Sequence, residues 1–515
     1  MLFLNKILSF IEKISVKAAT YIFIILTFFI AGINLFITTY FDNKTYLEYC
    51  LYKYDNFMLI VISATFLILV IIYAVKKINF EKVNLVNLLM IYTVFFGIIW
   101  MSISDTYPVA DSACIFAVVS EFLHGNYDNL FNETSYISAY PYQLGMVFLI
   151  EMIYRVIGED RYYFLMLLNV LSICIVFYFL YKISKEIFEE EKISRITLLL
   201  LFGCFPALFY VTYVYGTIYG LAFSVIGIYA VIRYCNTNKL RYIFISAISI
   251  GISIVLKSNY SIVLIAAIII LILKFCNMKK LIPLIMIVFL VITPMILNSL
   301  VNSYYEKQSG SKISDGAPKL LWIAMGLQNG DAAEGWYNGF NWLTFVDYPD
   351  SKDSEIIAKN SIKESLNSFK ENPKHAVKFF YKKIISQWSE PTYQSIFSSH
   401  YQQQNVHELS WVGKSIYAGV LNKIILFYMN IYNFIIWGCT FIFFILKRKD
   451  INFKQLLCAI VVIGGFLFHI IWEGKSMYIF PYFMLVIPYS AAGIFEISNF
   501  TLNVYSKLRL KFVKE

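Results

Sequence analysis

Twelve mostly apolar stretches recur along the chain, near residues 20–40, 57–75, 84–101, 163–181, 196–213, 217–232, 242–256, 259–273, 281–298, 424–446, 455–471 and 479–495. Each approaches the roughly 20 residues that a helix needs to cross a bilayer core. No other feature constrains the fold so strongly. Composition agrees: 59% of residues are hydrophobic and only 15% charged. A water-soluble globule so poor in charge could not wet its surface while hiding so much apolar material. A soluble enzyme is excluded, and the expected fold class is an all-α polytopic membrane protein. The first stretch follows Lys6, Lys13 and Lys17 and is too long for a cleaved signal core, so a retained anchor is expected.

The net charge of +10 would suggest a nucleic-acid partner in a soluble chain. Its distribution argues otherwise. With the N-terminus placed inside, both termini and five connections fall in the cytoplasm, and these segments hold 24 of the 43 Lys and Arg residues. Against nine acids they carry +15, and the remainder, 19 bases against 24 acids, carries −5. The basic balance therefore reports orientation, and no nucleic-acid partner is expected. Residues 141–158 are apolar enough to be mistaken for a span, yet they carry Glu151 and Arg155 on one helical face. Crossing there would reverse every later connection, so an amphipathic helix lying at the outer interface is expected.

Two outer segments are long enough to be functional, residues 101–162 and 298–423. These divide the chain into an N-terminal transmembrane module (1–298), a small, mostly helical extracellular domain (299–423) and C-terminal spans with a cytoplasmic tail (424–515). The first outer segment holds eight acids: Asp105, Asp111, Glu121, Asp128, Glu133, Glu151, Glu159 and Asp160. Asp105 and Asp111 follow an outward-running span, where a carboxylate can serve as general base towards a hydroxyl held within hydrogen-bond reach.

Asp111 lies in the run Tyr107-Pro108-Val109-Ala110-Asp111-Ser112-Ala113-Cys114-Ile115-Phe116, followed by Gly125-Asn126-Tyr127, Tyr140-Pro141-Tyr142-Gln143-Leu144-Gly145 and Ile157-Gly158. This wording resembles the first outer loop of the GT-C glycosyltransferases, which include protein O-mannosyltransferases and the aminoarabinose transferase that modifies lipid A. The resemblance implies a bacterial-type bundle of about 12 helices, a sugar donor linked to polyprenyl phosphate, and Asp111 as the base that activates the acceptor. Many members pair Asp with Glu here, whereas Ser112 follows in this chain; Asp105 or Glu121 would have to supply a second acid.

A lipid-phosphate donor requires cations where the phosphate departs. Lys257 follows an outward span, Arg155 and Arg161 come from the first outer segment, and Lys475 lies in His469-Ile470-Ile471-Trp472-Glu473-Gly474-Lys475-Ser476-Met477-Tyr478-Ile479-Phe480-Pro481-Tyr482. That stretch is similar to the late acid, base, Tyr and Pro segment of many GT-C sequences, which places Glu473, Lys475 and Tyr478 at the donor. His469 and Glu473 would share a face if the helix runs that far. A basic amphipathic helix is expected within residues 372–383, resting on headgroups. Trp388, Glu390 and Tyr393 are placed either to contact a sugar or to pack the outer domain onto the bundle.

Eight scattered cysteines form no CxxC pair, and the five histidines (His124, His375, His400, His407, His469) show no ligand spacing. No metal and no cofactor are expected. The implied reaction moves a sugar, with inversion, from a polyprenyl-phosphate donor to a hydroxyl on a cell-envelope glycan, lipid or protein, at the outer face of the cell membrane. A lipid-linked repeat-unit polymerase and a transporter or flippase are the alternatives.

Overall fold

The computed structural model describes residues 2–42, 48–78, 83–132, 134–401 and 409–512; Glu133 and His407, named above, lie outside them. Among the described residues, ten helices are long and apolar enough to cross a membrane: Lys6–Phe36, Phe57–Lys77, Leu85–Ser104, Tyr162–Ile187, Gly216–Thr237, Ser258–Met278, Ile282–Ser309, Val420–Lys447, Phe453–Ile471 and Phe480–Thr501. Two of the twelve expected spans take other forms. Glu191–Phe202 and Phe205–Thr212 form one element bent by 51°. Arg241–Leu256 is helical but has 16 residues, a rise of about 24 Å, short of the roughly 30 Å hydrocarbon core.

The bend has a local cause and a tertiary solution. Gly203 and Cys204 end one helix and Pro206 opens the next, where its missing N–H costs nothing. The carbonyls left without helical partners at membrane depth must find others. Tyr432 and Tyr428 hydroxyls donate to Leu200 O (2.7 Å) and Gly203 O (3.2 Å). Trp100 Nε1 donates to Phe209 O (3.2 Å), the Tyr162 hydroxyl to Thr212 O (2.8 Å), and Asn169 Nδ2 to Val211 O and Tyr213 O at 3.1 and 3.0 Å. Broken backbone is thus held in place beside the candidate site.

Two of the spans start on side-chain caps. Asn56 accepts from the backbone N–H groups of Met58 and Leu59, and Asn84 from that of Asn87. Lys76 and Lys77 close the Phe57–Lys77 helix, where cations favour the negative dipole end.

The first apolar stretch ends earlier than its hydropathy suggests. Helix gives way to an antiparallel hairpin, Ile37–Phe41 paired with Cys50–Tyr54, with Phe41 opposite Cys50. The β-branched run Ile37-Thr38-Thr39 favours extended backbone.

Residues 310–419 carry the helices Leu320–Gly326, Phe340–Asp347, Ser351–Glu371, Pro373–Trp388, Ser395–Tyr401 and Trp411–Ala418. They sit over the end of the bundle that bears the long loops. The hairpin and the helix before it are sewn to this part: Thr39 N donates to Ser389 O (3.0 Å), Cys50 N to Ala332 O (3.1 Å) and, from the helix, Asn34 Nδ2 to Trp388 O (3.1 Å). Trp388, Glu390 and Tyr393 are all buried and join the outer helices to the bundle.

Candidate active site

A cavity of about 1200 Å³ lies between the outer helices and the bundle. Asp111, Lys257, Glu473, Lys475 and Tyr478 all line it, as do Glu48, Gln143, Tyr213, Tyr215 and Gln394. Five residues singled out from three separate stretches of sequence therefore meet in one space.

Asp111 is the first residue of the helix Asp111–Leu123, where a carboxylate favours the positive dipole end. Ala110 before it adopts φ +50°, and Ser112 Oγ donates to Val214 O (2.9 Å), fixing the helix start against the segment after the bent span. Asp111 is exposed to the cavity.

Lys257 ends the helix Arg241–Leu256 in extended conformation. Gly216 lies directly against the Leu256 carbonyl, where any Cβ would collide, so the chain before Lys257 is clamped. The ammonium sits 4.4 Å from the centroid of the Tyr215 ring and 5.4 Å from that of Tyr478, and the Tyr215 hydroxyl accepts from Gln143 Nε2. Among the described residues it makes no ion pair with a carboxylate. Burial lowers its pKa to about 8, although Asp111 and Glu473 push upward.

Lys475 is paired: its Nζ lies 3.2 Å from Glu48 Oε2. Burial alone would lower its pKa, but Glu48, Glu473 and Asp111 outweigh that and raise it. Glu473 is buried, and desolvation lifts its carboxyl to about 7 against the pull of Lys475.

The loop carrying Glu473 is held from above. Lys383, fully buried, donates to Gly326 O (2.5 Å) and Trp472 O (2.7 Å). Burial lowers its pKa to about 7, with Glu473 resisting. From below, Glu390 accepts from Thr392 N (2.9 Å), Thr392 Oγ1 (2.6 Å), Gln394 N (2.5 Å) and Ser476 Oγ (3.0 Å), so all its lone-pair directions are engaged. Gln394, in left-handed backbone at φ +62°, passes this order on: its Nε2 donates to Glu48 Oε1 (2.5 Å) and its Oε1 accepts from Met477 N (3.2 Å).

Three sequence candidates lie elsewhere. Asp105 caps the Leu85–Ser104 helix in left-handed conformation and faces the Tyr163 hydroxyl at 3.5 Å. Arg155 is committed to Glu151, with Nη2 2.6 Å from Oε1, and Glu151 is itself buried against the hydroxyls of Tyr305 (2.7 Å) and Tyr304 (3.4 Å). The helix Leu144–Ile157 thus turns Glu151 inward, onto the Ile282–Ser309 helix, while Arg155 stays exposed above it. Arg161 caps the Tyr162–Ile187 helix and is exposed outside the cavity.

The expected pairing of Glu473 with His469 is not made through a shared helical face. The Leu457–Ile471 helix stops two residues short of Glu473, and His469 stacks on Tyr478 at 5.6 Å with Nε2 3.4 Å from the Tyr482 hydroxyl. The basic helix is Pro373–Trp388, but Lys382 pairs with Glu334 (2.7 Å) and Lys383 turns inward. Glu48 and Gln394 carried no signal in the sequence, and Lys383 was legible only as part of a basic helix, because each acts through contacts with residues far along the chain. Among the described residues no group of three or more His, Cys, Asp or Glu is placed to hold a metal ion.

An aromatic wall closes the side of the cavity away from the bundle. Tyr140 meets Tyr142, Trp322 and Trp342 at 5.6–6.0 Å, and Trp322 stacks on Trp472 at 6.0 Å with planes 10° apart.

In comparisons with known proteins, residues 143–297 match the sequence pattern of the dolichyl-phosphate-mannose-protein mannosyltransferase family. No curated protein matched the chain. Among solved structures, the apo crystal structure of an Archaeoglobus fulgidus oligosaccharyltransferase matches at 12% identity with a TM-score of 0.42. That match covers 84% of this chain and 52% of the archaeal one, so the chain spans about half its length. The matched segment, residues 143–297, holds the Leu144–Ile157 helix, the bent span and Lys257, and in this part the chain is similar to the dolichyl-phosphate-mannose-protein mannosyltransferase family.

Proposed function

We propose that the protein transfers a sugar from a polyprenyl-phosphate donor to a hydroxyl-bearing acceptor of the cell envelope, a glycan, lipid or protein. The observation that carries this reading is the meeting of Asp111 with Lys257 and Lys475 in one cavity. Asp111, open to that space, takes the proton of the acceptor hydroxyl. The oxygen attacks the anomeric carbon from the face opposite the phosphate, the carbon–oxygen bond to phosphate breaks, and configuration inverts. The departing phosphate gains negative charge, and the two ammonium groups stabilise it more strongly than they stabilise the bound donor, which lowers the barrier.

In this reading residues 299–423 form the extracellular roof of the site between the membrane modules 1–298 and 424–515. The termini lie in the cytoplasm and the cavity opens on the outer face, as the clustering of Lys and Arg suggests.

Asp111→Asn is the direct test. A general base contributes roughly 10²- to 10⁴-fold, so sugar transfer by the purified variant should fall into that range while expression and membrane insertion hold. Undiminished transfer would remove Asp111 from the mechanism.

A further inference from the structure

The two lysines of the cavity are not equivalent. Lys257 has aromatic faces around it and, among the described residues, no ion-pair partner. Lys475 has one, Glu48, which stands just before the Cys50–Tyr54 strand of the N-terminal hairpin and outside the segment matched by the family pattern. Glu48 does not drift there: one oxygen accepts from Gln394 and the other faces the Lys475 ammonium at 3.2 Å. Of the carboxylates on the cavity wall, Glu48, Glu473 and Asp111 are the ones that act on the Lys475 ammonium. An anion entering this space meets a cation already neutralised at Lys475. Leaving that partly buried ammonium without a counter-ion would carry a cost, so the carboxylate stabilises the site when no anion is bound.

We propose that Glu48 is the resident counter-ion of Lys475 and that a lipid phosphate displaces it on binding, so that the N-terminal hairpin sets the threshold for donor loading. This rests on the donor reading above. The phosphate is recognised first at Lys257. Lys475 becomes available as Glu48 gives way, and the Gln394 bond already in place keeps the carboxylate partnered.

The experiment measures binding of a long-chain polyprenyl monophosphate to the full-length protein in phosphatidylcholine nanodiscs, with the uncharged polyprenol as control. Glu48→Gln should bind the phosphate tighter, by roughly fivefold at low salt, as expected for removing a partly exposed ion-pair competitor, and less at high salt. Glu48→Asp, whose carboxylate is retracted, should bind tighter by a smaller factor and carries the test should the Gln variant fail to fold. Polyprenol binding should be the same in all three proteins. Unchanged or weaker phosphate binding by the variants overturns the counter-ion role and leaves the donor reading standing. A wild-type protein that does not prefer the phosphate over polyprenol overturns both.

Discussion

Lys257→Met offers a prediction in which function and stability move in opposite directions. The native ammonium is partly buried with its pKa lowered from 10.5 to about 8. At about 1.4 kcal/mol per pH unit, the fold bears a cost of about 3 kcal/mol for keeping this group charged. The sign follows from the protonated form being disfavoured in the fold. The penalty is fully present below pH 8 and disappears as pH rises from 8 to 10.5. Methionine has similar length and no charge. Its cost is the loss of two cation–π contacts, at 4.4 and 5.4 Å, each worth roughly 0.5–1 kcal/mol. The variant should therefore be about 1–2 kcal/mol more stable at neutral pH, seen as a higher midpoint in scanning fluorimetry of the protein in nanodiscs.

Activity should fall. A hydrogen bond to a charged group is worth about 1.5–3 kcal/mol, or about 10- to 150-fold. The esterified phosphate carries one negative charge and the departing phosphate approaches two, so the lost interaction divides between ground and transition state. With a polyprenyl-phosphate sugar, KM should rise and kcat should fall by about tenfold each. A variant that is less stable and keeps its donor affinity would show that Lys257 is a structural residue and would refute this reasoning.

Binding of a phosphodiester donor, whose own charge is constant, should weaken as pH rises from about 6 to 9. Glu473 acquires its charge near 7 and Lys257 loses its own near 8; titration calorimetry across that range checks it, and a flat profile counts against both assignments. Gly493→Ala should destabilise the bundle by roughly 1–3 kcal/mol, because its Cβ would run into the Cys439 carbonyl where the last helix crosses Val420–Lys447. Thermal unfolding reads that loss, and an unchanged midpoint would mean that the two helices do not cross so closely.

Hydropathy alone located the span positions, since a bilayer imposes one length on every crossing helix. What it misjudged was how individual spans are made. The stretch around 196–213 reads as continuous because its apolar content is continuous, while the bend depends on tyrosines, a tryptophan and an asparagine contributed by other helices. The Ile37–Phe41 strand was hidden in the tail of an apolar run. Within the candidate site, Asp111 and the Glu473–Tyr478 stretch stood out through local wording. The positions of Arg155 and Asp105 could not be read that way, because an inward-facing Glu151 and a left-handed helix cap decide them. Glu48 is the extreme case: its partners lie 346 residues or more away.

That separation bears on how the molecule comes into being. Ribosomes add roughly 5–20 residues per second, so the hairpin waits on the order of tens of seconds for Trp388, Ser389 and Gln394, and longer for Lys475. Throughout that interval its strands and the Glu48 carboxylate lack the surface that later covers them. The half-site that holds Lys257 is made earlier and also stands incomplete. The candidate site is thus complete only once the last two spans are in place, and a polypeptide stalled before them would display an unsatisfied hairpin that membrane quality control could recognise.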